Sequence, residues 1–311
     1  MKDGFIDDIR LTSSSLFELK QIIRASHADQ WIYQSIDGLY VSQTAKLCGI
    51  YTNNTLVSFA WHMKRTWVID NIVYTGLSIG VVTTVPSHRN RGYAKSLIEE
   101  LEKLGKLKQI DFLFLAGIPG FYSKYGFKGF APKSKLVFNR SDLPLRKGSI
   151  SPLTKEHLTT ISQMYAAYAK ETSSYSSRTD SDWQDLLGPL SSTFLFNNPS
   201  IILDHSDNII AYFCVTPNNP RAIREFIALP NPDSAITALS LIAHSAEYSD
   251  QERLEIFTPA KGPIWDAAAN SIGADFLCFL RPQASHMIKW ITKKETPIDF
   301  HSAFIFRGDN L

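Results

Sequence analysis

Residues 77–92 read LSIGVVTTVPSHRNRG and run directly into Tyr93-Ala94-Lys95-Ser96-Leu97. Leu77–Val85 is rich in β-branched and small apolar residues, the composition of a strand. Pro86 cannot donate to a ladder and ends it. Ser87–Arg91 is a polar, basic turn. From Gly92 the apolar period changes: Ala94, Leu97, Ile98, Leu101 and Leu104 recur at +3, +4, +7 and +10, one face of an amphipathic helix. The first backbone N–H groups of such a helix have no intrahelical acceptor, and the macrodipole adds positive potential beyond them. Gly92 has no Cβ, so a ligand can approach the backbone closely. His88, Arg89, Arg91 and Lys95 add charge-assisted donors suited to phosphate. The stretch therefore predicts a pyrophosphate site at a strand–turn–helix unit. It is neither a P-loop nor a dinucleotide fingerprint, since G-x-x-x-x-G-K and G-x-G-x-x-G are both missing.

Working outward, Asp111–Ala116 reads as a short buried strand, Pro119–Tyr125 as a short helix and Lys135–Phe138 as a final strand. Upstream, Leu11–His27 carries Leu16, Leu19, Ile22 and Ile23 at helical spacing behind the cap-forming Thr12-Ser13-Ser14-Ser15. Lys46–Thr52 and Thr55–Met63 form a hairpin across Asn53-Asn54, and Thr66–Ile69 with Ile72–Thr84 a second pair. Arg140–Ser151 (RSDLPLRKGSIS) reads as a linker. A second series follows: helices at Lys155–Lys170, Asp180–Leu187, Asp233–Glu247 and Pro263–Asn270, a hairpin of Ser200–Asp204 with Ile209–Val215, and strands at Ile223–Ala228, Arg253–Phe257 and Ala274–Leu280. The expected fold is α/β with mixed sheets, one layout used twice, in domains 1–145 and 150–311.

The chain has 311 residues, 32 Lys and Arg against 30 Asp and Glu, 44% apolar and 20% charged residues. That composition is globular, and a formal charge of +2 argues against nucleic-acid binding by bulk electrostatics. The most apolar stretch, Phe112–Ile118, is far short of the roughly 20 residues of a membrane span. The acidic, polar N-terminus lacks the apolar core of a signal peptide. Cys48, Cys214 and Cys278 are odd in number, widely spaced and free of any C-x-x-C, so they predict buried thiols in a reducing cytoplasm and no metal site.

Val82–Ala94 resembles the acetyl-CoA motif of the GNAT superfamily of N-acyltransferases, Arg/Gln-x-x-Gly-x-Gly/Ala after a strand, matched by Arg89, Gly92 and Ala94. Pro119–Phe127 (PGFYSKYGF) is similar to the family's Tyr-x-x-x-Gly-Phe element, matched by Tyr122, Gly126 and Phe127. The run Pro86–Gly92 and the segment Arg178–Trp183 resemble the enhanced-intracellular-survival type, with two tandem GNAT-like domains. That type also carries a sterol-carrier-like third domain, for which these 311 residues leave no room.

The resemblance implies acetyl-CoA as co-substrate. It gives Val82, Thr83 and Thr84 to the pantetheine arm, Arg89, Asn90, Arg91, Gly92, Tyr93, Ala94 and Lys95 to the pyrophosphate, and Gly117 and Ile118 to the cofactor's border. Tyr122 becomes the general acid that protonates the departing thiolate. Leu77–Val85 contains no carboxylate to act as base. His62 and Asp70 lie on nearby segments. The resemblance offers the terminal carboxylate of Leu311, and a water relay is equally open. In the second half, Ile227–Asp233 has two prolines, no Gly or Arg, and an aspartate where phosphate would sit, so that domain is expected to shape the acceptor site. Trp183, Trp265 and Trp290 are either pocket or core aromatics.

The expected activity is a cytoplasmic N-acetyltransferase acting on a small-molecule or lysine amine by direct attack, with no nucleic acid, membrane or metal involved. The sequence is compatible with a homo-oligomer. An idle acyl-CoA-binding module with a partner-binding second domain, or a nucleotide-binding protein, are the competing expectations.

Overall fold

The computed structural model describes residues 4–27, 30–129, 133–170, 174–188, 197–216, 219–248, 250–257, 275–279 and 285–292. The first series of elements runs β1 (Gly4–Ile6), α1 (Ser13–Ser26), α2 (Gln30–Val41), β2 (Ala45–Thr52), β3 (Thr55–Ile69), β4 (Ile72–Thr84), α3 (Tyr93–Leu107), β5 (Phe112–Gly117), the short α4 (Pro119–Tyr122), β6 (Lys128–Gly129) and β7 (Lys133–Asn139). The second runs β8 (Gly148–Pro152), α5 (Leu158–Ala169), β9 (Ser174–Ser177), α6 (Asp180–Leu187), β10 (Asn197–Asp204), β11 (Ile209–Thr216), β12 (Asn219–Ala228), α7 (Pro232–His244), β13 (Arg253–Phe257), β14 (Asp275–Phe279) and β15 (Ser285–Trp290).

These strands build two mixed sheets. One has the order β1-β2-β3-β4-β5-β15-β6, with β9 also alongside β3; the other, read from its β8 edge, runs β8-β10-β11-β12-β13-β7-β14. The two orders correspond position by position. In each, an antiparallel run ends in one parallel pair bridged by a helix, β4–β5 across α3 and β12–β13 across α7. In each, the next strand belongs to the other series: β15 lies between β5 and β6, and β7 between β13 and β14. Consecutive buried residues explain that placement. Met287 and Ile288 of β15 pack into different core clusters, and Leu136, Val137 and Phe138 of β7 are all buried, so both strands need protein on both faces. The first sheet thus takes two strands from beyond residues 145–150, β9 and β15, and the second takes β7 from before them, while the segment read as a linker contributes Gly148–Ser151 to β8.

Several expectations are corrected. A second helix, α2, follows α1; its buried Ile32, Ile36 and Leu39 are helically spaced, but interior Gly38 weakens the local signal. Thr55–Met63 and Thr66–Ile69 are one strand, which pairs with β2 in its first part and with β9 in its second. The Lys135–Phe138 strand belongs to the second sheet. The helix read at Pro263–Asn270 and the side chains of Trp265 and Cys278 lie outside the described residues.

α3 lies on the first sheet through Leu97, Ile98 and Leu101, each at most 1% exposed, and each contributing about 1.5–3 kcal/mol by burial. α6 docks against the first series through two buried aspartates. Asp185 accepts from Ser42 Oγ (2.6 Å), Thr44 Oγ1 (2.7 Å) and the N–H groups of Gln43 (3.1 Å) and Thr44 (3.2 Å), and Asp182 pairs with Arg65. Arg178 is a core residue: it forks onto Glu225 at 2.7 and 2.9 Å and lies over the rings of Tyr165 and Trp183. Trp183 is therefore part of the second core, and Trp290 packs edge-on against Phe112 and Tyr74. Cys48 and Cys214 are buried free thiols.

Candidate active site

The site begins where β4 parts from β5. Their parallel pairing ends at Ile79 opposite Leu115, while β4 runs on to Thr84. Just beyond, β4 bulges: Phe59 faces Thr83 but Trp61 faces Gly80, leaving Val81 and Val82 against Ala60 alone. Val81 sits at φ 54°, a conformation that costs a β-branched residue on the order of 1–3 kcal/mol. The bulge is held from both sides. Thr83 Oγ1 donates to Val81 O at 3.0 Å, and Ser58 Oγ donates to Thr83 O at 3.1 Å. The backbone edge of β4 past Ile79 consequently faces a gap where a β5 neighbour would otherwise be.

Residues 86–88 form a 3₁₀ turn, then Asn90 (φ 61°) and Gly92 (φ 83°) swing the chain through left-handed conformations into α3. Around Gly92 a Cβ would meet no atom within 4 Å, so glycine is required there by its backbone angle and not by crowding. No side chain caps α3, its first turn carries no acid, and the ladder starts only with Ser96 N–H to Gly92 O at 3.0 Å. The N–H groups of Tyr93, Ala94 and Lys95 are left facing out of the helix, a ready anion site. α7 is the opposite: Asn231 Oδ1 accepts from Ser234 N–H at 2.9 Å, Pro232 opens the helix, and Asp233 pairs with Arg146.

A cleft of about 400 Å³ joins these parts. It is walled by Ser26 and His27 from the end of α1, by Val82–Thr84, by His88–Asn90, by Gly92–Lys95, and by Phe121, Tyr122 and Tyr125. Arg89 ties the walls together, its Nε reaching Thr84 O and its Nη2 reaching Ser26 O, both at 3.4 Å. Of the residues singled out from sequence, Val82, Thr83, Thr84, Arg89, Asn90, Gly92, Tyr93, Ala94, Lys95 and Tyr122 come together on this cleft. Arg91 is exposed, Gly117 and Ile118 lie off the wall, and Leu311 falls outside the described residues.

Gly117 nonetheless bears on the site. A Cβ there would overlap the Tyr122 ring, so the ring rests on the bare backbone at the end of β5. Phe121 and Phe127 pack against the same ring, with centroids at 4.9 and 5.8 Å. Burial, with a smaller push from Tyr125, raises the Tyr122 phenol to about 12, keeping it protonated at neutral pH.

Neither His62 nor Asp70 reaches the cleft. His62 is buried, its Nε2 2.6 Å from Asp7 Oδ1, and Lys108 takes the other Asp7 oxygen at 2.6 Å. Asp70 turns the hairpin at the far end of β4, whose 13 residues span about 40 Å. Sequence reasoning missed Ser26, His27, Phe121 and Tyr125. His27 closes a helix whose last turn already holds Arg24, the ordinary place for a charge opposite the dipole, so nothing local marked it for a cleft. Among the described residues no group of three His, Cys, Asp or Glu could hold a metal, and no helix is long and apolar enough to cross a membrane.

Residues 20–130 match the family model described as an acetyltransferase (GNAT) domain. A GCN5-related N-acetyltransferase from Anabaena variabilis superposes with TM-score 0.68 at 15% identity, over 93% of this chain and 73% of that one. Eis1 from Mycobacterium abscessus gives TM-score 0.61 at 13% identity, covering 94% and 74%. N-myristoyltransferase from Saccharomyces cerevisiae, solved with myristoyl-CoA, gives 0.60 at 9% identity, covering 98% and 89%. No curated protein matches the sequence.

Proposed function

From the premise that residues 20–130 are a GNAT acetyltransferase domain, we propose that the chain is an N-acetyltransferase, moving the acetyl group of acetyl-CoA onto a primary amine by direct attack in a ternary complex. The domain makes the chain an acyltransferase with an acyl-CoA donor. The uncapped start of α3, beside the gap at the end of β4, is the observation that carries the finer reading. Bare N–H groups, a first turn without acid, and the side chains of Arg89 and Lys95 fit a pyrophosphate. The backbone of Val82–Thr84 would take the amides of the pantetheine arm as an added strand would.

That leaves the thioester beside the bulge, where the amine nitrogen attacks the carbonyl carbon. Tyr122, at a pKa of about 12, is a donor throughout the neutral range and protonates the departing thiolate, whose own pKa is near 8.5. The second domain, its α7 N-terminus already capped and acidic, shapes the acceptor side and binds no CoA. Buried thiols at Cys48 and Cys214 suit a reducing cytoplasm. The acceptor is a small-molecule or lysine amine.

The test is CoA release across an amine panel with wild type and Tyr122→Phe. Turnover with some amine, reduced about 10²–10⁴-fold in the variant at unchanged acetyl-CoA affinity, is expected. Acetyl-CoA binding with no turnover of any amine would leave an idle binding module instead.

A further inference from the structure

An alkylamine arrives as an ammonium ion and must lose a proton before its nitrogen can attack. The described cleft wall holds no carboxylate, and its proton-accepting side chains are His27 and His88. His88 belongs to the turn before α3, with Nδ1 3.0 Å from Ser87 Oγ and its ring tilted against Tyr93, centroids 6.1 Å apart. His27 is placed differently. Its Nε2 lies 2.8 Å from Thr83 Oγ1, and the same hydroxyl lies 3.0 Å from Val81 O at the bulge. With His27 in the tautomer protonated at Nδ1, the one hydroxyl proton has two acceptors within reach, Val81 O and the imidazole Nε2. Thr83 lines the cleft at the point where β4 leaves β5.

Resting on the acyl-transfer reading above, we propose that His27, acting through the Thr83 hydroxyl, takes the proton from the acceptor amine. As the ammonium is deprotonated, its proton passes to Thr83 Oγ1 while the Thr83 proton passes to His27 Nε2. The freed nitrogen lone pair forms the N–C bond to the thioester carbonyl carbon and the C–S bond breaks. The thiolate takes the Tyr122 proton, and the amide nitrogen's surplus proton leaves to solvent, since His27 already carries the first. The imidazolium and the tyrosinate then exchange protons with water. No oxidant, metal or covalent enzyme intermediate enters the balance.

His27→Gln separates a proton-accepting role from a merely structural one, because glutamine can still hydrogen-bond Thr83 but cannot take up the proton. Turnover is measured with the best alkylamine of the panel and with a fluorinated analogue whose ammonium pKa falls below the assay pH. The expected result is a loss in kcat of about 10²-fold or more with the alkylamine and less than about threefold with the analogue, at unchanged KM for acetyl-CoA. Added imidazole should restore part of the alkylamine rate to His27→Ala. Thr83→Val should reproduce the defect and Thr83→Ser should not. Equal losses with both amines, or an alkylamine rate within about twofold of wild type, overturn the proposal. If wild type turns over no amine at all, it falls with the reading beneath it.

Discussion

Replacing Gly117 by alanine tests the seat of the tyrosine. The added methyl would interpenetrate the Tyr122 ring and lie 2.9 Å from Leu115 Cδ1, whereas ordinary carbon contacts begin near 3.5 Å. The ring cannot retreat easily, because Phe121 and Phe127 stand against it at 4.9 and 5.8 Å between centroids. It must therefore move by on the order of 1 Å, which for a positioned acid costs about 10²-fold in rate, or roughly 2.7 kcal/mol of barrier. The anion site at α3 is built from other atoms and should not notice. A thiol-reactive dye reporting CoA release gives kcat, and calorimetry gives the acetyl-CoA Kd. The expected outcome is kcat lower by about 10²-fold with Kd within about twofold. Gly120→Ala supplies the control: no atom lies within 4 Å of its added Cβ, and alanine suits a helical position, so its kcat should match wild type. A Gly117→Ala enzyme with kcat within threefold of wild type would refute the placement of Tyr122 as the acid, and a joint loss of kcat and acetyl-CoA binding would show local unfolding instead.

Arg89→Glu should raise the acetyl-CoA Kd at least about tenfold while shifting thermal stability little, since the residue is exposed; Arg91→Glu, in the same loop but off the cleft wall, should lose less, and equal losses would contradict that geometry. Leu101→Ala, in the buried seam of α3, should cost about 2–5 kcal/mol in urea denaturation, and a cost under 1 would mean the helix is not anchored there. The His62 hydrogen bond, with help from Lys108, holds the Asp7 carboxyl well below the usual carboxylate range against the opposing pull of burial. A depressed folded-state pKa adds stability above the unfolded value near 4 and loses it as pH falls further. Asp7→Asn should therefore be less stable than wild type at pH 7, with the gap in Tm closing below about pH 4; parallel Tm curves from pH 7 to 3 would contradict the pairing.

The parts legible in the sequence were those whose cause is local. Leu97, Ile98 and Leu101 share one face because a helix has a 3.6 period, and Gly92 after a basic turn marks a left-handed entry to α3 whatever surrounds it. The misses have non-local causes. Ser285–Trp290 (SHMIKW) is a short mixed stretch whose partners, β5 and β6, lie more than 150 residues upstream, and no periodicity encodes a partner. Val81 is a valine among valines, yet it holds a positive φ because Ser58, Thr83 and the β3 register over-determine it. His27 looked like a helix terminus and is one; its hydrogen bond to Thr83 depends on how α1 crosses the end of β4.

The exchange of β7 and β15 between the sheets has a consequence for how the protein is made. At about 5–20 residues per second, a ribosome that has just finished β5 needs roughly ten to thirty seconds to deliver β15. Throughout that interval Phe112–Leu115, all buried in the finished protein, lack the strand that closes their side of the sheet. Neither series of elements completes its sheet without strands from the other. A premature stop between residues 145 and 274 leaves the first sheet without β15 and the second without at least β14, so one truncation leaves both sheets incomplete.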